Sequence, residues 1–391
     1  MSCRTVKAER WTYRFCPDPV PAPANRLRAI LRARLVDELT GQPMDSEVDL
    51  TTDRTGLTPR VARGGVVGLV GLPGRLFPQL DVSPVTVTMR ASAPRYVPVE
   101  LGGTLGPIVG FPDQFSALDL GDVGLHRAST TVRGRTLRRA SLTSIVVAGA
   151  TVDIAGYWPT FPPANINPST VMELPNLLAL SPPLYASRAV GITQLQRRDA
   201  VPVVGQEKNL LLPASVGETR LRLSNRIGLV TGVLLIIESS DPVRVERIPI
   251  AGVDTASAAD QPAWVTLIHP LVYTHRDGVI AQPANLTPPG AANSLTRAAI
   301  SGDETVFLNG MAGLTSGITV ELDDGGGTPE YHQAELYSGV SDADGYFRLP
   351  PIARVAMVAL HAQRLGLTSP PDERFTPDYR LAESHLTVMF P

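Results

Sequence analysis

Residues 339–362 constrain the fold of this chain more than any other stretch. They contain a polar turn at 341–345, a short segment Tyr346-Phe347-Arg348-Leu349, two prolines and an alternating segment at 354–360. A polar turn followed by segments that alternate with a period of two is typical of neighbouring β-strands. The sequence therefore predicts two adjacent strands here, and the stretch shows no residue pattern that would carry a reaction.

The composition extends this prediction to the whole chain. Gly (34) and Pro (36) together exceed their usual share of about 12%, and charged residues are only 18% of the 391 residues, against about 25% in an average domain. Hydrophobic residues make up 43%, which is enough for a sizeable core. We expect an all-β, multidomain protein with little helix, divided into about two to four domains.

The charge balance argues against a nucleic-acid partner. The formal net charge is −2, so the chain lacks a strongly basic footprint. Its local arginine clusters, Arg133 with Arg135 and Arg138 with Arg139, have no aromatic residues interleaved with them. We interpret them as the solvated face of a strand rather than as a phosphate site.

The N-terminal sequence has no apolar core of the length found in a secretory signal. The longest apolar run, near 227–237, is far shorter than the roughly 20 residues that span a bilayer. We expect no signal peptide, no membrane span and assembly in the cytoplasm, with an extracellular location only after release as part of a particle. The two cysteines, Cys3 and Cys16, do not form a disulfide framework, and whether they pair stays open.

Residues 1–26 form a predicted N-terminal arm and Pro-rich linker. Trp11, Tyr13 and Phe15 alternate with polar residues, which predicts one strand, and four prolines at 17, 19, 21 and 23 predict an extended linker. Two interpretations stay open. The aromatic strand can add to the sheet of a neighbouring subunit, or it can cap the first domain of its own chain.

A first β-sandwich is predicted at 27–125. Aliphatic residues alternate with arginines at 27–35, and the strand is followed by a turn at Asp37–Gly41 and further alternating segments. The segment 61–77 between them is Gly-rich and apolar, without the Lys-Ser/Thr of a phosphate-binding loop. We interpret it as a loop specialised for contact, with Val66, Leu69 and Leu72 as candidate interaction residues.

Three further segments complete the predicted organisation. They are a second β-sandwich at 126–205, a small β-barrel-like bead at 206–290, and a C-terminal β-sandwich with a bead-like repeat at 291–391. The repeat rests on residues 85 positions apart, including Gly228 with Gly313 and Gly232 with Gly317. In the second segment, Tyr157, Trp158 and Phe161 on a Pro-rich loop are candidates for stacking on a sugar; the alternative is that they fix the loop to the core.

We find no constellation of residues that would perform catalysis or hold a metal. Asp342, Asp344 and Gly345 begin a calcium-loop spacing, but the further ligands are missing, so a hairpin turn with Asp side chains bound to the backbone is the interpretation. The six histidines are scattered and show no zinc-peptidase spacing. The sequence therefore predicts no catalytic residue, no metal and no cofactor, and a protein that is not an enzyme.

The motifs of the first and last modules carry a resemblance to a known family. Asp37, Thr40, Gly41, Tyr96 and Pro98, and the stretch 342–350, resemble the transthyretin-like or carboxypeptidase-regulatory-like β-sandwich. The first module departs from it at 61–77, where the family has an Asp-Gly-x-Phe turn. The repeated Gly-Leu-x-x-Gly segments look like the small beads of tail and baseplate proteins of phages and contractile injection systems.

The resemblance implies an accessory or structural role and no activity. The expected function is that of a structural component of a phage tail-like particle, at the baseplate, cap or fibre of a contractile injection system. Its partners would be other subunits of the assembly, including copies of itself. The alternative is an adhesion module that binds a glycan or a surface.

Overall fold

A computed structural model describes residues 4–8, 11–15, 27–44, 47–109, 111, 114–140, 143–161, 171–369 and 373–391. These residues form 31 strands, one α-helix of four residues and one short 3₁₀ helix. The predicted fold class, all-β with several sheets and little helix, is confirmed. The chain divides into two compact units, an N-terminal unit, Met1–Leu125, and a C-terminal unit, His126–Pro391.

The N-terminal unit contains nine strands and the helix. They are β1 (Arg4–Ala8), β2 (Trp11–Phe15), β3 (Arg28–Asp37), β4 (Asp49–Thr51), β5 (Thr58–Val61), β6 (Val66–Gly71), α1 (Pro73–Leu76), a 3₁₀ helix (Pro78–Asp81), β7 (Val85–Ser92), β8 (Val99–Leu105) and β9 (Leu118–Leu125). One sheet has the order β5-β6-β3-β9, and another has the order β4-β7-β8. β1 and β2 form a separate two-stranded sheet.

Alternation of buried and exposed positions, interrupted by a bulge near the start of β3, explains how the two larger sheets of the N-terminal unit bury a common core. Leu31, Leu35, Val67, Val87 and Met89 lie on inward-facing positions of β3, β6 and β7, and each is at most 2% exposed. Residues between them, such as the arginines of β3, face solvent. A face of aliphatic residues in every second position is what a sheet with one buried face requires.

The interpretation of 61–77 as a loop is wrong, whereas its role in contacts stays a prediction. Its residues form the second strand of a hairpin, β6, which pairs with β5 and β3, and then the helix α1. The glycines permit this packing: a Cβ at Gly68 would lie 2.6 Å from the carbonyl oxygen of Leu31 on the neighbouring strand. The Gly-rich composition therefore reflects close strand packing rather than an irregular loop.

Asp37 organises the turn that follows β3. Its Oδ1 accepts hydrogen bonds from the N–H groups of Leu39 and Thr40, at 3.0 Å each, and from the hydroxyl of Thr40. Its Oδ2 accepts a 2.6 Å hydrogen bond from the hydroxyl of Tyr96, which is far away in sequence. Gly41, with φ +66°, then turns the chain back. These contacts give a physical reason for the spacing of Asp37, Thr40, Gly41 and Tyr96.

Asp37→Ala should destabilise the N-terminal unit by about 2–4 kcal/mol. The substitution leaves two backbone N–H groups and the Tyr96 hydroxyl without their charged acceptor in a site where Asp37 is 5% exposed. Urea unfolding followed by circular dichroism measures the change, with Asp49→Ala, an exposed carboxylate, as the matched control. A loss no larger than that of the control would contradict a central role for Asp37.

The C-terminal unit contains the remaining strands. They are β10 (Thr130–Ala140), β11 (Thr143–Val146), β12 (Thr151–Trp158), β13 (Leu177–Ser181), β14 (Gln194–Arg197), β15 (Ala200–Pro202), β16 (Lys208–Asn209), β17 (Arg220–Leu223), β18 (Leu234–Ile237), β19 (Glu246–Val253), β20 (Ala263–Leu267), β21 (Ile280–Leu286), β22 (Ala292–Ser294), β23 (Thr305–Phe307), β24 (Thr319–Asp323), β25 (Glu330–Leu336), β26 (Ser338–Val340), β27 (Tyr346–Ile352), β28 (Met357–Arg364), β29 (Leu367–Thr368), β30 (Glu373–Phe375) and β31 (Glu383–Phe390).

Strands from the two ends of this unit form one β-sandwich. β10 pairs with β27 and β11 on one side and, in parallel, with β31 on the other; β12 pairs with β26 and β28 in the second sheet. Val152, Leu349, Leu360 and Phe390 share its core. Segments 126–205 and 291–391 thus contribute strands to the same sheets. The domain boundaries drawn in this part of the chain stay predictions.

The turn at 341–345 confirms the interpretation that Asp side chains bind to the backbone, but it is not a hairpin turn. It joins β26, which pairs with β12 in one sheet, to β27, which pairs with β10 in the other. Oδ1 of Asp342 accepts hydrogen bonds from the N–H groups of Asp344 and Tyr346, at 2.9 and 2.8 Å. Gly345 has φ +81°, and a Cβ there would lie 2.9 Å from the carbonyl oxygen of Thr136. The two segments that follow are the strands β27 and β28, as predicted, but they lie in different sheets of the sandwich and are therefore not adjacent.

Between β12 and β26 the chain forms a double bead, and its two beads repeat each other strand by strand. β16, β17, β18 and β19 of the first bead correspond to β22, β23, β24 and β25 of the second. Gly228 and Gly313 have φ of +72° and +73°, and Gly232 and Gly317 have φ of +86° and +85°. The predicted repeat is therefore present in the structure, and it extends beyond the residues that revealed it.

The strands that complete the second bead, β13 and β14, precede the rest of that bead in the chain. We call β20 of the first bead and β13 of the second the closing strands. In the first bead β20 pairs with β17 and β19; in the second β13 pairs with β23 and β25. β21 and β14 correspond in the same way. The first bead is thus inserted into the second, between β14 and β22, which pair with each other.

Candidate functional site

The predicted interaction residues of the arm lie on β2. β2 pairs in antiparallel register with β1, from Arg4 opposite Phe15 to Ala8 opposite Trp11. The predicted strand at Trp11–Phe15 is confirmed, and it is one half of a hairpin. The side chains of Trp11, Tyr13 and Phe15 and the linker that follows them lie outside the described residues, as do Cys3 and Cys16.

The other predicted interaction residues fall into an exposed and a buried group. Val66 and Phe161 are 41% and 47% exposed, and Leu72 is partly buried. Leu69, Tyr157 and Trp158 are 0%, 3% and 2% exposed, so their side chains belong to the packed interior. Tyr157 and Trp158 therefore present no face to a sugar ring, as the alternative interpretation of this loop expects.

Sequence reasoning missed the most polar interior of the protein, a buried ionic centre in each bead. In the first bead, Glu246 is 0% exposed and accepts hydrogen bonds from the N–H groups of Val272 and Tyr273, the latter at 2.9 Å. His275, also 0% exposed, lies between two carboxylates: Nε2 is 3.1 Å from Glu246, and Nδ1 is 2.7 Å from Glu238.

The second bead repeats this centre with a different cation. Glu330 is 0% exposed and accepts hydrogen bonds from the N–H groups of Tyr185 and Ala186, at 3.0 and 2.8 Å. Arg188 occupies the position of His275, with Nη2 2.8 Å from Glu330 and Nη1 3.1 Å from Asp324. In both beads, one buried carboxylate holds the loop after the closing strand, and one cation joins it to a second carboxylate.

Tyr185 connects the two centres. Its N–H group donates to Glu330, and its hydroxyl donates to Glu246 at 3.0 Å. Its ring is stacked on His269, with centroids 5.0 Å apart. Close by, Arg247 of β19 pairs with Tyr331 of β25. These are equivalent positions of the two copies, so the beads meet through an approximate local twofold arrangement.

The environment of these centres shifts the pKa values of their groups. Burial by itself lowers the pKa of His275, but hydrogen bonds to Glu246 and Glu238 outweigh it and raise the pKa above the usual value. Burial raises the pKa of Glu330, but the hydrogen bond from His332 and the charges of His332 and Arg188 outweigh it and lower the pKa to about 2. Both shifts favour the charged forms that make the ion pairs.

The buried acids and cations therefore act chemically as internal connectors. Each carboxylate of the two centres is committed to backbone N–H groups or to a paired cation. In the described residues, no group of three or more His, Cys, Asp or Glu is arranged to hold a metal ion. No helix among those residues has the length and apolarity to cross a bilayer.

A cleft of about 560 Å³ lies between the double bead and the sandwich of the C-terminal unit. Its polar lining includes Ser181, Tyr273, Glu304, Glu335 and Arg348, and prolines of β27 close one side. The Glu304 carboxylate is already bound by the hydroxyl of Ser129. The polar groups of this cleft therefore serve the junction between bead and sandwich.

One sequence signal could have identified the ionic centres. Pro270-Leu271 is followed by His275 and Gly278, and Pro183-Leu184 is followed by Arg188 and Gly191 at the same spacing. The motif of the second bead precedes that of the first bead in the chain, whereas the other repeated residues of the second bead follow those of the first. A comparison that keeps the order of the chain therefore matches the two carboxylates but not the two loops that they bind.

Comparison with known proteins does not assign this chain to a family. No protein-family model matches it, and no curated protein matches it. Among solved structures, the chain is similar to the major pilin subunit of Bacillus cereus at 8% identity, over 93% of this chain and 99% of that chain, with a TM-score of 0.18. A likeness at that TM-score supports no statement about fold or function.

His275→Gln should remove a pH-dependent part of the stability of the C-terminal unit. A group whose pKa is raised on folding contributes its full stability below the unfolded-state value, about 6.5, and loses it as the pH rises through the folded value. We expect the wild type to lose stability above about pH 6.5 relative to the variant, and the variant to be less stable below it. Thermal melts between pH 5.5 and 9 measure the difference, with the exposed His385→Gln as control. Parallel curves for wild type and H275Q would contradict it.

Glu330→Gln should destabilise the C-terminal unit by about 3–5 kcal/mol, because it leaves Arg188, whose side chain is 2% exposed, beside a neutral group. Since the pKa of Glu330 is lowered to about 2, its contribution is present above the unfolded-state value near 4.3 and is lost as the pH falls toward 2. Urea unfolding at pH 7 and pH 3 tests both statements. Glu218→Gln, an exposed acid, is the control, and an equal effect of the two variants would argue against the centre.

Proposed function

We propose that this chain is a non-enzymatic structural component of a larger assembly and works through protein–protein contacts. The observation that carries the proposal is the hairpin β1–β2, which pairs with no other strand among the described residues. A two-stranded hairpin is marginally stable by itself in water, so it gains stability when it joins another sheet. Its outer edges offer unpaired N–H and C=O groups for such an addition.

The rest of the chain supports the same role. The buried acids and histidines of the beads are engaged in holding loops, and the sandwiches and beads form a series of small, closed β modules. Modular β domains with internal connectors suit a protein that spans and joins neighbours. The finer proposal is a component of a phage tail-like particle, at the baseplate, cap or fibre of a contractile injection system, assembled in the cytoplasm together with other subunits and further copies of itself.

The arm is the part whose removal tests this function. A chain without residues 1–24 should fold with nearly the same melting temperature and should lose most of its self-association or its co-sedimentation with large assemblies. Val6→Pro, which removes a backbone donor from β1 opposite Tyr13, should act in the same direction because proline disrupts strand pairing. Analytical ultracentrifugation and thermal melts give the two readouts.

The opposite result would overturn the proposal. Unchanged assembly of both arm variants, with a large fall in melting temperature, would mean that the hairpin caps its own unit. A measurable turnover that disappears in a variant of His269, His275, Asp342 or Asp344 would instead indicate an enzyme.

A further inference from the structure

The outer face of the sheet β27–β10–β31 carries an unusual concentration of positive charge. Arg133 of β10 lies directly opposite Arg348 of β27 on one side and His385 of β31 on the other. Two residues further along β10, Arg135 lies opposite Tyr346 of β27. Three arginines and a histidine therefore share one face, although the whole chain has a net charge of −2.

The inner face of the same strands fixes this arrangement. Gly134 lies between the two arginines and points into the core, where a Cβ would lie 2.3 Å from the ring of Phe347. Phe347 is 4% exposed, and Leu349, next on the inner face of β27, is 0% exposed. Because side chains alternate along a strand, the packed inner residues place Arg133, Arg135 and Arg348 on the outer face of a rigid sheet.

The outer face forms a groove rather than a flat surface. Its volume is about 610 Å³, and Arg133, Arg135, Tyr346, Arg348 and His385 are among its lining residues. Tyr346 is 55% exposed, and the guanidinium carbon of Arg135 lies 5.0 Å from the centre of its ring. The aromatic ring thereby holds one cation in place at the groove wall.

Among the described residues, acids neutralise the groove only in part. Asp342 lines it, but its Oδ1 is bound to two backbone N–H groups of the turn. Arg133 is 2.9 Å from Glu383 at the margin, and Arg135 donates to the carbonyl oxygen of Asp344 through Nε, which leaves both its terminal nitrogens without a partner in the part of the chain that the structure describes. Arg348 has no hydrogen bond or ion pair to any described residue.

Like charges at directly opposed cross-strand positions destabilise a sheet. A solvated strand face, as the sequence suggests for Arg133 and Arg135, needs no second arginine opposite Arg133. Glu383 offsets the charge of Arg133, but no acid among the described residues pairs with Arg348, so an anionic group bound between the two guanidinium groups would relieve their repulsion.

We propose that this groove binds an extended, carboxylate-rich segment of a partner protein. The pitch of the sheet favours a peptide: Arg133 and Arg135 are two residues apart on one strand, about 6.7 Å, and acidic side chains at alternate positions of an extended peptide have the same spacing. In addition, β31 pairs with β10 alone among the described strands, so its outer edge has unpaired backbone groups beside the groove.

The charge of the groove also excludes the arm of this chain as its occupant. Residues 4–15 contain Arg4, Lys7, Arg10 and Arg14 and a single acid, Glu9. A cationic arm and a cationic groove repel each other, so the two surfaces serve different neighbours. The inference rests on the proposed assembly function, and it adds a second contact surface and the chemical class of the partner.

Binding of a synthetic peptide to the full chain tests the groove. The probe is a fluorescein-labelled octapeptide of four Thr-Glu repeats. The control peptide has the same composition arranged as two Glu-Glu-Thr-Thr repeats, in which no two acids are two residues apart. We expect the alternating peptide to bind several-fold more tightly at 50 mM salt, and its affinity to fall as the salt rises to 500 mM, because exposed ion pairs are screened. Fluorescence anisotropy gives both affinities.

Two sets of variants locate the binding. Arg135→Ala with Arg348→Ala should weaken the alternating peptide about tenfold, since two charge-assisted contacts are lost. Arg276→Ala removes an exposed arginine that lies outside the groove, and it should change the affinity less than about twofold. All of these side chains reach solvent, so melting temperatures should stay near that of the wild type.

The outcomes separate the groove from the arm. The chain lacking residues 1–24 should bind the peptide as the full chain does, whatever happens to its assembly. Equal binding of both peptides, or an equal loss in R276A, would overturn the proposal. So would binding of a heparin-derived hexasaccharide that depends on Arg348 while the peptide does not bind, which would indicate an anionic glycan as the occupant.

Discussion

A carboxylate bound to two successive backbone N–H groups is the interaction on which the C-terminal unit depends. Glu246 and Glu330 each hold the loop that follows a closing strand, and each is fully buried. A buried carboxylate is costly unless its charge and lone pairs are satisfied, so the loop, the cation and the carboxylate must form together. Each centre thereby specifies one position for its loop, and the closing strand before that loop is fixed with it.

Loops fixed in this way are compatible with the nested insertions of the chain. The chain leaves the second bead after β14 and returns to it at β22, and these two strands pair with each other. In the same way, the chain leaves the sandwich after β12 and returns to it at β26, and these strands also pair, with Asp153 opposite Ser338. Insertions whose two ends lie on adjacent antiparallel strands leave the host sheet intact. Each module can therefore complete its core although its residues are far apart in sequence.

The sequence predicts local structure in this protein well and long-range pairing poorly. The alternation at Trp11–Phe15 and at 84–92 and the polar turn at Asp342 correspond to observed strands and an observed turn, since these depend on neighbouring residues. At 66–71, the glycines allow close strand packing, but composition alone does not distinguish this from a Gly-rich loop. The backbone groups that bind Glu330 cannot be predicted from the sequence either, because they lie about 145 residues upstream and in reversed order within the repeat.

The two beads differ where their symmetry would predict identity, and the difference has a physical consequence. The pKa of His275 is raised, so its charge is lost only as the pH rises through that raised value. At the same position the second bead has an arginine, a residue type that stays charged in folded proteins. Deprotonation of His275 would leave Glu246 and Glu238 close together without a cation between them. Tyr185 donates its hydroxyl to Glu246 and its N–H group to Glu330, so a rearrangement in the first bead acts directly on a ligand of the second. Because arginine stays charged, the ionic centre of the second bead keeps its cation when the centre of the first bead loses its own.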